Sequence, residues 1–286
     1  QIASWQYPQP AVFKIMTVPL FAGFMYSAVG SFFARSLRLY QVSFERLPGF
    51  ANLLALAVHV LLPVLAIHIQ GDDGTALVFL GIGLVMVFAG GISGWLVAGG
   101  LAAAGGGAAL LLKLRPGLLK GYQAKRIFAV LDPENPALAD IAYQQNKGAM
   151  AIGTGGLTGT GLWGEHVFVP NSWNDFIFSY LANAMGFVGA VTVLLLLLGI
   201  SVRILLAALQ STDALGRYLC VGIFAALFGQ CIITRGMNLQ VLPVIGVTLP
   251  FFSAGGSSVV MVYLCVGLVL AVSRKNRRKK LAVPIE

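Results

Sequence analysis

Seven apolar segments, each close to the ~20 residues that a helix needs to cross a lipid bilayer, are the feature that most constrains this chain. They lie at about residues 11–33, 53–69, 76–94, 95–114, 176–199, 217–234 and 257–273. Only 10% of the 286 residues are charged, and a water-soluble domain of this size could not cover its apolar surface with so few. The sequence therefore predicts an all-α polytopic membrane protein with about seven transmembrane helices. It excludes a soluble enzyme, a disulfide scaffold and a nucleic-acid-binding module.

The net charge of +9 is concentrated in one terminal segment, where six of the 19 basic residues lie in the tail 274–286. A basic flank directly after an apolar span indicates a cytoplasmic end that faces anionic lipid. With this tail inside, the long connection 115–175, between the fourth and fifth spans, is expected outside. No internal repeat or low-complexity linker divides the chain, so we expect one membrane domain over residues 1–286.

Acidic residues are rare here, so those next to predicted spans are candidate functional groups. Asp72 and Asp73 precede the third span, Asp175 opens the fifth, and a basic cluster at 113–126 shares the predicted outer side. Such an outer vestibule suits an anionic substrate that arrives from the membrane. The simpler alternative is that each Asp caps the free N–H groups at a helix start. The basic cluster could equally face lipid headgroups.

Two glycine-rich segments lie near predicted membrane surfaces. Residues 153–161 (GTGGLTGTG) lack the Gly-Lys-Ser/Thr end of a phosphate-binding loop, so we expect a tight loop and no nucleotide site. Residues 253–258 (SAGGSS) open the last span, where Ser257 is a candidate helix cap. The fifth apolar run continues to Leu209, so we expect its helix to protrude or bend near Gly186 and Gly189.

Several motifs resemble those of the SEDS family (shape, elongation, division and sporulation), whose members include RodA, FtsW and SpoVE. The most specific is the segment 241–258, VLPVIGVTLPFFSAGGSS, which the family writes close to LLPVTGVPLPFxSYGGSS. Three further segments are 151–161 (AIGTGGLTGTG), 174–178 (NDFIF) and 70–75 (QGDDGT), which resemble the family's AIGSGGLxGxG, TDFIFA and QPDLGT. The motifs follow the family's order across nearly the whole chain.

The resemblance implies a ten-span architecture, of which this chain matches the last seven spans. The chain opens with Gln1, not Met, and together these features predict the C-terminal portion of a longer protein, or a truncated one. The resemblance also implies a bacterial cytoplasmic membrane location, with the long loop outside and the C-terminus cytoplasmic. This orientation agrees with the one predicted from the basic residues.

The resemblance further implies an activity, because SEDS proteins are peptidoglycan glycosyltransferases that polymerise lipid II, with undecaprenyl pyrophosphate as the leaving group. The family's essential Asp maps onto Asp175, which would act as a general base on the acceptor hydroxyl. Lys125 and Arg126 match a basic pair that would take up the charge of the leaving pyrophosphate. Asp72 matches a second outer acid, with a supporting or cation-binding role. The expected substrate-binding residues are Lys125, Arg126, Asp72, Gly255, Gly256 and Ser257.

The expected partners are lipid II, the lipid-linked glycan strand, membrane lipid and a class B penicillin-binding protein, and no nucleic acid. No cofactor is assigned, although a divalent cation stays open. A non-catalytic scaffold for the penicillin-binding protein is one alternative, because Asn171 and Asn183 replace acids that the family carries near Asp175. A flippase for lipid-linked precursors is the other, but it needs paired charges inside spans that offer little beyond His59.

Overall fold

The computed structural model describes residues 49–89 and 135–281, with isolated positions between them at 95, 99, 102, 125, 126, 128–130 and 132. Within these residues every regular element is a helix, as the sequence predicts. The helices are α1 (Gly49–Ile69), α2 (Asp73–Ala89), α3 (Ala139–Thr154), α4 (Ile177–Leu209), α5 (Ala214–Asn238) and α6 (Gly256–Leu281), with a 3-10 turn (Pro136–Leu138) before α3.

Three helical segments are long and apolar enough to cross a membrane, namely Ile177–Leu209, Leu215–Asn238 and Gly256–Arg278. Helices α1 and α2 supply shorter apolar stretches, Val60–Ile69 and Gly74–Met86. Together the five helices coincide with the second, third, fifth, sixth and seventh predicted spans. The first predicted span lies outside the described residues, as does the fourth apart from three helical positions.

Helix α5 lies at the centre of the described bundle and packs on α2, α3, α4 and α6. Towards α2, Ala226 belongs to a buried cluster with Val78 and Ile82. Towards α4 and α6, α5 shares a second cluster that includes Ile204 and Val262. Small residues such as Ala226 let apolar helices approach closely, which is how helices in a bilayer gain packing energy.

The long connection before α4 is not a simple loop, because α3 folds back onto the bundle. Gln145 of α3 is buried, and its Nε2 donates to the carbonyl oxygens of Met237 (3.0 Å) and Leu242 (2.8 Å). Gly148 lies against Phe176, where a Cβ would approach the ring to 2.8 Å. These contacts place α3 beside the start of α4 and the end of α5.

Helix α4 is kinked at Gly186, whose φ of 68° and ψ of −168° are not helical, so the predicted bend is confirmed. The backbone groups freed by the kink pair with the glycine-rich loop. Phe187 N donates to Gly156 O (2.8 Å), and Gly161 N donates to Ala184 O (2.9 Å). An apolar helix can be broken only where neighbouring chain satisfies the freed groups in this way.

Candidate functional site

The turn that carries Asp175 is fixed to the end of α5 by one buried amide. Asn238 Nδ2 donates to the main-chain oxygen of Asp175 (3.0 Å). Its Oδ1 accepts from both Ser179 N (3.1 Å) and Ser179 Oγ (2.7 Å) in the first turn of α4. This side chain therefore positions the Asp175 backbone without a bond to its carboxylate.

The carboxylate of Asp175 does not cap α4. The residue at the N-cap position is Phe176, which forms no side-chain cap bond. Asp175 Oδ1 is buried, and among the described residues it has no hydrogen-bond partner. Most buried polar atoms are paired, so a buried carboxylate oxygen without a partner among the described residues can accept a hydrogen bond from a bound molecule.

Charges around Asp175 act on its pKa in opposite directions. Burial raises the pKa of Asp175 above its ordinary value of 3.8, nearby Arg126 lowers it, and the negative charge of Asp72 raises it. Arg126 is half-buried in a helical segment, and its Nη1 donates to the Val244 carbonyl at 3.0 Å. The structure thus brings three predicted residues into one charge cluster.

Asp72 occupies a different local environment, because it caps α2. Its Oδ1 accepts from Thr75 N (2.9 Å), and its Oδ2 accepts from Thr75 Oγ1 (2.6 Å). The capping alternative therefore holds for Asp72 and fails for Asp175. Asp72 is half-buried and acts on Asp175 through its charge while both of its oxygens are engaged locally.

A cavity of about 500 Å³ opens beside this cluster, and we name it the site cavity. It is lined by α2, α5, the start of α6 and the loops that join them. Four predicted residues lie on its wall, together with Trp173 and Gln230. The four are Asp72, Gly255, Gly256 and Ser257.

Two hydrogen bonds join the glycine-rich wall of the site cavity to the Asp175 turn. Ala254 N donates to Trp173 O (2.8 Å), and Ser253 Oγ donates to Asn174 O (2.8 Å). Of the basic pair, Arg126 reaches the cluster, whereas Lys125 is an exposed neighbour on the same helical segment. Ser257 lies one residue inside α6, which begins at Gly256.

Two residues that shape the site were not singled out from the sequence. Asn238 gives no local signal, because its role depends on a partner 63 residues away. Gly246 lies within the most specific motif and has a φ of 76°, a conformation that favours glycine. A Cβ at this position would lie 3.6 Å from Asp175 Oδ2, so Gly246 faces the carboxylate.

The described residues contain no group of three or more His, Cys, Asp or Glu side chains that could hold a metal ion. The side chains that the structure brings together here are the carboxylates of Asp175 and Asp72 and the guanidinium of Arg126, beside a cavity with both polar and apolar walls.

Comparison with known proteins places these features in a family. The family model described as "Cell cycle protein" (FtsW/RodA/SpoVE) matches residues 11–278. Stage V sporulation protein E of Bacillus subtilis is 34% identical, over 89% of this chain and 68% of its own. A probable peptidoglycan glycosyltransferase FtsW of Geobacter sp. (strain M18) is 36% identical, over 73% of this chain and 56% of its own.

A solved structure extends the likeness to the fold. A chain from a peptidoglycan synthase complex that coordinates polymerization and crosslinking has a TM-score of 0.73 and 29% identity. The match covers 89% of this chain and 70% of that chain. Against the curated relatives the coverage is lower, because the chain spans about half to two thirds of the length of most of them. The apolar helices and these relatives together identify a multi-pass membrane protein, and the chain belongs to the FtsW/RodA/SpoVE family.

Proposed function

We propose that this protein is a peptidoglycan glycosyltransferase that polymerises lipid II into glycan strands during bacterial wall synthesis. The observation that carries the proposal is the buried Oδ1 of Asp175, which has no partner within the described part of the chain and lies next to the cavity-lining residues Asn174 and Gly246 and near the charge of Arg126. Family membership and a relative named as a probable peptidoglycan glycosyltransferase support it.

Asp175 is the proposed general base. In the reaction, a sugar hydroxyl of the acceptor attacks the anomeric carbon of a lipid-linked sugar, and that hydroxyl must lose its proton as the new bond forms. A carboxylate with a raised pKa holds this proton better than an ordinary Asp, and Asp175 Oδ1 is free to accept it. The proton then resides on Asp175 until solvent removes it.

Arg126, assisted by Lys125, is the proposed stabiliser of the leaving pyrophosphate. The C–O bond to the pyrophosphate breaks as the glycosidic bond forms, so negative charge develops on the leaving oxygen. Arg126 is already oriented by its bond to Val244 O, which reduces the reorganisation needed when this charge appears. No step is assigned to a metal ion.

The wall of the site cavity is proposed to hold the substrate. Asp72 stiffens the start of α2 and contributes charge, while Gly255, Gly256 and Ser257 present backbone and a hydroxyl to the sugar or pyrophosphate. Trp173 adds an aromatic surface at the same wall. Mixed polar and apolar walls suit an amphiphilic substrate that arrives from the membrane.

The proposal includes a location and a partner. We place the protein in the bacterial cytoplasmic membrane as one membrane domain over residues 1–286, with the site outside and the basic end of α6 in the cytoplasm. A class B penicillin-binding protein is the proposed partner, supported by the similarity to a chain of a peptidoglycan synthase complex. This partner would crosslink the strands that the protein polymerises.

The test is a polymerisation assay on the full-length protein and its Asp175→Asn variant, each with the transpeptidase partner present and crosslinking blocked. Labelled lipid II should give a glycan ladder with the parent, and the variant should lose about 100- to 10,000-fold of the rate. Asp140→Asn is the matched control, because Asp140 is exposed in the first turn of α3. A normal ladder from Asp175→Asn would contradict the assignment of the base. No ladder from the parent, with its partner bound, would favour the scaffold.

A further inference from the structure

A second cavity, of about 860 Å³, lies between α4 and α6 at their C-terminal ends, and we name it the α4–α6 cavity. The site cavity lies at the opposite ends of these helices. About 25 Å of helix separates the kink at Gly186 from Arg203, which lines the second cavity. It is therefore distinct from the proposed catalytic site.

One end of the α4–α6 cavity is cationic and polar. Arg203 of α4 and Arg277 of α6 both line it, and both side chains are exposed. Asn276 also lines the cavity and is only 5% exposed. Its Nδ2 and Oδ1 are both buried and, within the described part of the chain, neither has a hydrogen-bond partner. A buried amide that lacks partners is costly unless a ligand or water completes it.

The other end of the cavity is apolar. Leu195, Leu196 and Leu270 line it and are each about 60% exposed. Gly199 also lines it, and a Cβ there would meet no described residue within 4 Å. The cavity is therefore complementary to an anionic phospholipid, with cations for the headgroup at one end and an apolar groove for an acyl chain at the other.

An ion pair outside the cavity lining joins α6 to the chain before α5. Lys275 Nζ lies 2.9 Å from Asp213 Oδ2, which joins α6 to the short connection between α4 and α5. This ion pair neutralises one of the basic residues in the last turns of α6. Arg277, by contrast, is directed to the cavity wall.

We propose that the α4–α6 cavity binds one anionic phospholipid from the leaflet at the C-terminal end of α6. The phosphate is held by Arg203 and Arg277, Asn276 donates to and accepts from the headgroup, and one acyl chain lies along Leu195, Gly199 and Leu270. The bound lipid covers the contact between α4 and α6 near their C-terminal ends. It does so without any role for Asp175.

The experiment is native mass spectrometry of the full-length protein in detergent, titrated with phosphatidylglycerol or with phosphatidylcholine. We expect one phosphatidylglycerol to be retained preferentially. Arg203→Ala with Arg277→Ala should weaken its binding by about 10- to 30-fold, since each cation near anionic lipid contributes an independent attraction. The matched control is Arg274→Ala with Arg278→Ala, which removes the same charge from two exposed residues outside the lining.

A second variant tests the apolar end without changing charge. Gly199→Trp fills the groove and should lower phosphatidylglycerol retention by about tenfold, since displacement of an acyl chain removes its apolar contacts. Equal loss in the Arg274/Arg278 control, or equal retention of phosphatidylcholine, would overturn the proposal in favour of a diffuse surface charge. A photocrosslinker at position 199 should yield a lipid adduct. Adducts only to protein would assign the groove to a second copy or a partner helix and also overturn it.

Discussion

The two glycine-rich segments resemble each other in composition and differ in what surrounds them. In residues 153–161, a Cβ at Gly155 or Gly159 would overlap the carbonyl oxygen of Ala182 or Ala184. In residues 253–258, and among the residues that the structure describes, a Cβ at Gly256 would meet nothing within 4 Å and one at Gly255 would meet only Ser258. Gly155 and Gly159 of the first segment have no room because α4 lies against them, whereas the second segment opens onto the site cavity.

This difference separates a structural use of glycine from a functional one. The loop 153–161 supplies the hydrogen bonds that a kinked helix lacks, so Gly155 and Gly159 are needed for the close approach of the two backbones. The segment 253–258 leaves space that the protein itself does not occupy. Substitutions at Gly155 or Gly159 should therefore act on folding, and substitutions at Gly255 or Gly256 should act on activity.

The largest effect is expected at the kink. Gly186→Ala would place a methyl group on a backbone with a φ of 68°, where it would overlap the main chain of Gly159 and Leu157. The variant should lose at least about 3 kcal/mol of unfolding free energy and accumulate poorly. Thermal unfolding and size-exclusion profiles in detergent would measure this.

Gly199→Ala is the control for this prediction, because Gly199 lies in the same helix with nothing within 4 Å of the added methyl group. Its unfolding midpoint should match or exceed that of the parent. If Gly186→Ala and Gly199→Ala had the same unfolding midpoint, the close contact between the kink and the loop 153–161 would not be needed for the fold.

The next effect concerns the buried amide that joins α3 to α4. Asn183 Nδ2 donates to Ala151 O (2.8 Å) and Thr154 Oγ1 (2.9 Å). Asn183→Asp keeps the shape but turns this donor into an acceptor that faces a carbonyl, so we expect about 2 kcal/mol of destabilisation. Thermal unfolding of the purified variant checks it.

Asn171→Asp is the matched control, since Asn171 also stands where the resemblance predicts an acid but is exposed. Its unfolding free energy should change by less than about 0.5 kcal/mol. Equal stability of the two variants would mean that the fold does not require an amide at position 183. In that case the loss of the acid there would need another explanation.

A smaller effect is expected in the open segment. Gly256→Val adds a side chain to the wall of the site cavity, where it should leave unfolding free energy within about 1 kcal/mol of the parent. Glycan synthesis should fall by about tenfold, because the substrate would be displaced from its reactive position. Parallel unfolding and polymerisation assays test both halves. A folded, fully active variant would remove Gly256 from the proposed site.

The sequence predicted an all-helical membrane protein because long apolar runs carry their own signal. It offered protrusion or a bend near Gly186 and Gly189 because the fifth run continues to Leu209, and the structure has the bend at Gly186. It did not predict α3, whose buried residues Ala142, Gln145, Gly148 and Ala151 include no large apolar side chain. Nor did the helix-capping argument separate Asp72 from Asp175, since both precede apolar helices. Asp72 directly precedes α2 and reaches Thr75 N, whereas Asp175 lies one residue before the N-cap of α4.

The smallest effect is the pH dependence of Asp175, and it distinguishes a residue kept for chemistry from one kept for stability. Because burial raises the folded-state pKa above 3.8, the protonated form stabilises the fold, and this contribution is lost as pH rises through the raised pKa. Asn at this position does not titrate. The unfolding midpoint of Asp175→Asn should therefore equal or exceed that of the parent above the raised pKa. The parent should gain stability relative to the variant as pH falls towards 3.8.

The parent's polymerisation rate should change in the opposite direction, falling about tenfold per pH unit below the same raised pKa because the base becomes protonated. A parent more stable than Asp175→Asn at neutral pH would indicate that the carboxylate serves the fold after all, and would assign it to the same structural class as Asp72.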